Sequence, residues 1–273
     1  MKSIFIAITV LFSLNLVAQK KLKVKGNKDV VEVFENLQGF NQIEIGDGLE
    51  VSLMQTTADG YRLKTDSNLV EILKVEVVDS VLKIHTTHKI TSSKKLEISV
   101  TFQNLDKITL RNDAKIEGLN KFNLNNFILD GYDGSDFDLD VNSKQLTMNL
   151  NGNTKGKLQM RSDEATMVLN DNAYLKGKLS VDNLALTVNK RADMKIEGNA
   201  EYLSLITTGS TDIKAKDLKV TNANLNASNT SDIYVYVSKE LNIYAKGKSF
   251  IYVYGTPHIK VEGLNDKSQI IKK

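Results

Sequence analysis

The chain has 273 residues, no cysteine, no tryptophan, a single proline and a formal net charge of +3. Disulfides, cysteine-ligated metals and a lipid-bearing cysteine are thereby excluded. So small an excess of positive charge also argues against nucleic acid as a partner, and the length suits one large β domain or two small ones.

Met1-Lys2 makes a short basic start, Ile4 to Val17 an apolar run, and Ala18 a small residue before Gln19. This is the pattern of a secretory signal peptide over residues 1–18, cleaved after Ala18. The apolar run falls short of the ~20 residues that span a bilayer. The expected location is therefore outside the cytoplasm, in the periplasm, on the cell surface or secreted, with no transmembrane segment once the signal is removed.

Residues 19–104 read as an irregular β-rich cap region. Val30 to Val33, Gln42 to Ile45, Leu49 to Met54, Lys74 to Val78, Val81 to Ile84 and Leu96 to Phe102 have strand character, and Gly46-Asp47-Gly48 has the composition of a hairpin turn.

From Leu105 to Gly263 the chain repeats. A small residue recurs at Ala114, Ser135, Thr154, Ala173, Ala192, Thr211, Ser231 and Ser249, in steps of 21, 19, 19, 19, 19, 20 and 18 residues. Six positions before this marker every repeat is apolar, from Ile108 to Ile243. Two positions after it seven of eight are large and apolar, Gly156 being the exception. Two positions before it stand Asn112, Asp133, Gly152, Asp171, Lys190, Gly209, Asn229 and Gly247. All but Lys190 are residue types that tolerate tight-turn backbone angles. Apolar residues alternate with polar ones inside each repeat, so each strand buries one face, and a fixed period near 19 lets successive coils stack. The predicted fold is all-β: a single-stranded, right-handed parallel β-helix of about eight coils, with a β-sandwich as the alternative. Residues 264–273 read as a C-terminal tail.

Several stretches resemble a known family: Phe40, Ile43, Ile45, Gly48, Val51 and Leu53, then Asn68-Leu69, Leu82-Lys83-Ile84 and Leu96-Glu97-Ile98-Ser99-Val100. They are similar to the "putative auto-transporter adhesin, head GIN domain" family, over about Phe34 to Gly263. That resemblance implies an exported bacterial β-solenoid of adhesin type and carries over no catalytic residue. The turns depart from the family's Gly-Ser pattern at Arg111-Asn112-Asp113 and Lys190-Arg191.

On a coil of this kind, positions three and five after the marker face outward. The first column reads Glu117, Asp138, Lys157, Lys176, Lys195, Lys214, Tyr234, Tyr252; the second reads Leu119, Asp140, Gln159, Lys178, Glu197, Lys216, Tyr236, Tyr254. Like charges opposite each other on neighbouring strands are unfavourable. A run of Lys157, Lys176, Lys195 and Lys214 flanked by Lys178 and Lys216 is thus a candidate docking surface for an anionic glycan or an envelope protein. Tyr234, Tyr236, Tyr252 and Tyr254 add rigid amphipathic contact. The structural alternative is a solvated face that uses lysine to prevent edge association and tyrosine for its strand propensity.

A second cluster, Asp130, Asp133, Asp136, Asp138 and Asp140, raises calcium binding or polysaccharide cleavage by paired carboxylates. The spacing matches no EF-hand loop, and the last three alternate as a solvated strand face does. His85 and His88 lie three apart on a predicted strand and so point to opposite faces; His258 follows Pro257. Nucleophile-elbow, phosphate-loop and zinc-protease motifs are missing. The reading is a non-enzymatic binding module without a cofactor. A polysaccharide-active enzyme and a structural or regulatory envelope protein stand as alternatives.

Overall fold

The computed structural model describes residues 21–273. The signal-peptide segment lies outside the described residues. Apart from a two-stranded parallel pair, Lys23–Lys25 with Lys89–Ser92, and a short 3-10 turn at Ser67–Leu69, the regular structure is one 20-stranded sheet system. From Asn126–Gly131 onward every neighbouring pair is parallel, as a β-solenoid requires and a β-sandwich does not.

The long strands Asp136–Leu150, Lys155–Leu169, Tyr174–Lys190 and Asp193–Gly209 stack with a constant offset of 19 residues. Leu146, Ala165, Leu184 and Leu203 therefore line up as one buried ladder, and Met148, Met167, Leu186 and Leu205 as another. Each fully buried aliphatic side chain contributes roughly 1.5–3 kcal/mol before chain entropy is subtracted. That ladder core replaces the disulfides the chain lacks. Gly156, the gap in the apolar column, is filled by its neighbour: a Cβ there would sit 2.1 Å from the ring of Phe137 one coil below. The large side chain on one rung requires the missing one on the next.

The corners explain the turn column. Asn112, Asp133, Gly152, Asp171, Lys190, Gly209, Asn229 and Gly247 all have positive φ, and Lys190 adopts +62° like its aspartate neighbours. The marker residue is buried just inside the corner. At several corners its hydroxyl ties the turn: Ser135 Oγ donates to the Tyr132 carbonyl at 2.6 Å, Thr154 Oγ1 to that of Asn151 at 2.7 Å and Ser231 Oγ to that of Ser228 at 2.9 Å, whereas Thr211 Oγ1 is buried without a partner. Aspartate in the turn reaches one coil back. The Asp133 carboxylate accepts the Asn112 amide at 3.0 Å, and that of Asp171 accepts the Gly152 amide at 3.1 Å.

The parallel stack is not confined to residues 105–263. Gln42–Ile45 pairs in parallel with Lys107–Leu110, and Glu50–Gln55 with Lys115–Gly118. Gly46-Asp47-Gly48 is thus a solenoid corner and not the expected hairpin. Asp47 and Gly48 have the positive φ that the composition calls for, but the flanking strands pair with other coils instead of with each other. Val81–Thr86 and Leu96–Phe102 stack on the far side of this coil, so chain order is inverted here. Antiparallel strands close that end: Leu73–Val78 on Val81–Thr86, and Val30–Asn36 on Gly60–Asp66 on Leu96–Phe102. Buried Asp66 locks this cap by accepting the backbone amides of Lys28, Lys94 and Lys95 at 3.0, 3.1 and 3.3 Å. At the other end Gln269–Lys272 stacks on Phe250–Tyr254, and Ser268 occupies the buried marker position. The segment expected to be a tail continues the coil. The corner column thereby runs from Asp47 to Asp266, giving ten corners and about nine turns.

Candidate functional site

The first outward column is realised rung by rung. Glu117, Asp138, Lys157, Lys176, Lys195, Lys214, Tyr234 and Tyr252 are successive register partners. The four lysines are exposed, above the buried floor of Leu158, Gly177, Ile196 and Ala215.

The second column holds from Asp140 through Gln159 and Lys178 to Glu197 and then breaks; at its start Phe122 stands opposite Val141, so Leu119 is not the rung beneath Asp140. A bulge after Lys195 places Asp217, not Lys216, opposite Glu197. A second irregularity sets Lys219 opposite Tyr236. Lys216 therefore does not belong to the predicted ladder. The physical reason is the one extra residue between Thr211 and Ser231, which the strand absorbs locally so that the buried positions stay aligned.

The tyrosines are engaged largely with one another and with lysine. Tyr234 and Tyr252 stack with centroids 4.4 Å apart and planes 8° from parallel. Lys273 Nζ lies 5.5 Å from the Tyr252 ring, and Lys219 Nζ 3.8 Å from that of Tyr236. Tyr236 and Tyr254 are register neighbours. Burial raises the Tyr234 phenol above its ordinary pKa, and the adjacent Tyr252 and the nearby Asp232 and Asp212 carboxylates push the same way. What the Tyr234–Tyr252 pair offers a partner is ring edges and hydroxyls more than open faces.

The lysines separate into two kinds. Lys157 meets Asp138 at 3.3 Å, and Lys214 meets Asp212 at 2.7 Å, which holds the Lys214 ammonium protonated to higher pH than usual. Lys176, Lys178 and Lys195 form no ion pair among the described residues. Lys176 and Lys178 project from the same side of one strand, and Lys195 is the register partner of Lys176. A depression of about 270 Å³ is lined by these three and by Lys157, together with the Asp138, Glu197 and Asp217 carboxylates. Sequence alternation alone could have revealed the Asp212–Lys214 pairing, since residues two apart on a strand share a face. The coverage of Tyr236 by Lys219 follows only from the bulge.

The aspartate cluster is dispersed. Asp130 is buried, paired with Lys107 at 2.7 Å and bonded by Asn149 at 2.8 Å. Asp133 caps a corner. Asp140 accepts from Gln159 at 3.0 Å and lies 3.6 Å from Lys121. Asp138 is taken by Lys157. Among the described residues no group of three or more carboxylates, histidines or cysteines converges as a metal site would require. His85 is half-buried on Val81–Thr86. His88 lies beyond that strand's end, with Nδ1 3.0 Å from Thr87 Oγ1.

Solved structures share this architecture. A "putative adhesin" from Parabacteroides distasonis superposes with a TM-score of 0.68 at 16% identity, covering 92% of this chain and 100% of that one. A "putative lipid binding protein" from the same organism gives 0.65 at 17%, covering 92% and 99%. A "putative adhesin" from Parabacteroides merdae gives 0.59 at 18%, covering 92% and 99%. At these identities the likeness establishes the fold alone. No curated protein matches the chain. Among the described residues no helix is long and apolar enough to cross a membrane. The family described as "Putative auto-transporter adhesin, head GIN domain" matches twice, over residues 39–171 and 153–257, two matches that together run nearly the length of the solenoid. The chain belongs to that family.

Proposed function

We propose that the protein is an exported, non-enzymatic binding module that engages acidic glycans of the cell envelope through the outward lysine face of its solenoid. The observation that carries this reading is the group Lys176, Lys178 and Lys195. These are three neighbouring exposed ammonium groups that form no ion pair among the described residues, rooted close together on adjacent strands. Stacked like charges are a standing cost, and a bound anion removes it. Lys216 is displaced from the lysine column by the bulge. The family's adhesin description, and the adhesin and lipid-binding names of the similar structures, also favour binding over catalysis. A catalytic role for the aspartates loses support because Asp130, Asp133, Asp138 and Asp140 are each engaged in a structural contact.

The test is binding to phosphorylated mannan at several salt concentrations, with wild type beside a variant carrying Ser at positions 176, 178 and 195. Wild type is expected to bind with an affinity that falls as salt rises, and the triple variant to bind about a thousandfold or more weakly, each of the three lost charge-assisted contacts being worth roughly 1.5–3 kcal/mol. Equal binding by both proteins would remove the lysine face from the account. Capture of an envelope protein by the triple variant as readily as by wild type would favour a structural or regulatory role.

A further inference from the structure

The lysine column appears in the sequence as a rail that would suit a long polyanion. In the structure it is closer to an island. At one end Lys157 is already matched by Asp138, and beyond it stands Glu117, so the column turns acidic. At the other end Lys214 is matched by Asp212. To the side, Glu197 is the register partner of Lys178, and Asp217 that of Glu197. Only Lys176, Lys178 and Lys195 remain without an ion pair among the described residues; they share a depression of about 270 Å³ with Lys157 and with the Asp138, Glu197 and Asp217 carboxylates.

Their spacing fixes what they can hold together. Lys176 and Lys178 are two residues apart along a strand, ~7 Å, and Lys195 is one strand away from Lys176, ~4.8 Å. Three long flexible side chains rooted in so small a triangle can converge on a single group. They supply donors only, so the group must be acceptor-rich and carry more than one negative charge. A carboxylate has two oxygens and one charge. A phosphate monoester has three free oxygens and about −1.5 to −2 charge at neutral pH. A linear polyanion would have to pass over Asp138 and Glu117 in one direction, or Glu197 and Asp217 in the other, and like-charge repulsion opposes both paths.

We infer that Lys176, Lys178 and Lys195 form a discrete site for a terminal phosphate monoester, carried by a sugar or by a lipid headgroup. The inference rests on the anionic-binding reading above and narrows it to one chemical group.

The experiment titrates the full chain with three probes: glucose 6-phosphate, vesicles of phosphatidylcholine with phosphatidic acid, and polygalacturonate oligomers of increasing length. Variants are Lys176→Ser, Lys178→Ser, Lys195→Ser, Lys157→Ser and Lys214→Ser, each outward-facing and checked for a single cooperative melting transition well above the assay temperature. The expected result is saturable binding of glucose 6-phosphate or of the phosphatidic acid vesicles, weakened about tenfold by each of the first three substitutions and changed less than about twofold by the last two, whose charges are already matched. Whichever of the two phosphate probes binds more tightly identifies the carrier. Binding of polygalacturonate that strengthens with length and is weakened equally by all five substitutions would overturn the island while leaving the anionic-binding reading intact. Failure of all three probes to bind would overturn both.

Discussion

The solenoid presents two outward faces built from stacked identical residues, and they solve the stacking problem in opposite ways. On the face leading into the corners, Asn151, Asn170 and Asn189 lie on consecutive coils. Asn170 Nδ2 donates to Asn151 Oδ1 at 2.9 Å, Asn189 Nδ2 donates to Asn170 Oδ1 at 2.9 Å, and Thr208 continues the chain of bonds. Next to it Asn153, Asn172 and Arg191 repeat the pattern, again at 2.9 Å. An amide carries both donor and acceptor, so a column of asparagines satisfies itself. Lysine carries donors and no acceptor. The column of Lys157, Lys176, Lys195 and Lys214 has the same geometry and cannot close on itself. It is completed at its two ends by Asp138 and Asp212 and left open in the middle. The same coil spacing thus yields a structural ladder on one face and an unsatisfied surface on the other. Side-chain chemistry, and not the fold, decides which face is available to a partner.

The comparison can be broken most severely on the asparagine side. Asn170→Ala removes both ladder bonds at a half-buried position and leaves Asn189 without its acceptor. Urea unfolding should show a loss of about 1–3 kcal/mol; an unchanged midpoint would mean that the ladder contributes nothing and that the two faces do not differ in kind. A smaller change of opposite sign is expected on the lysine side. Lys195→Ser removes an ammonium stacked between two others, so stability at low salt should rise by roughly 0.2–1 kcal/mol and the gain should fade as salt is added. Lys157→Ser serves as its control: it breaks the pair with Asp138 and should leave stability unchanged or lower it by up to about 1 kcal/mol. If Lys195→Ser also destabilised, the central lysines would have partners within the protein after all.

The columns that define both faces were legible because buried and exposed positions alternate with a strict period. The buried marker, the positive-φ corners and the inward apolar ladders all follow from it, and even Lys190, the one unlikely corner residue, is forced into the corner conformation by its place in the stack. The last coil carries the same signal, since Ser268 follows Ser249 by 19 residues, although in the sequence the repeats read as ending at Gly263 and the rest as a tail. The cap was not. The 64 residues between the Asp47 and Asn112 corners hold an excursion that builds an outer coil and its antiparallel cover, and no periodic signal crosses it. The displacement of Lys216 was half legible. A 20-residue step announces an extra residue between Thr211 and Ser231, but only packing decides that the strand swells after Lys195's partner and not at the corner. Which lysines have partners depends on side-chain reach across rungs, so the open centre of the column emerges only from the three-dimensional arrangement.

The most direct test of that open centre is the reactivity of each lysine toward an amine-modifying reagent, read by mass spectrometry with and without phosphorylated mannan. The account predicts that Lys176, Lys178 and Lys195 are modified readily in the free protein and are protected together when the glycan is bound, while Lys190, held by Asp171 at 2.5 Å on the corner ridge, reacts equally in both conditions. Protection spread evenly over the surface lysines, or protection that spares these three, would contradict it.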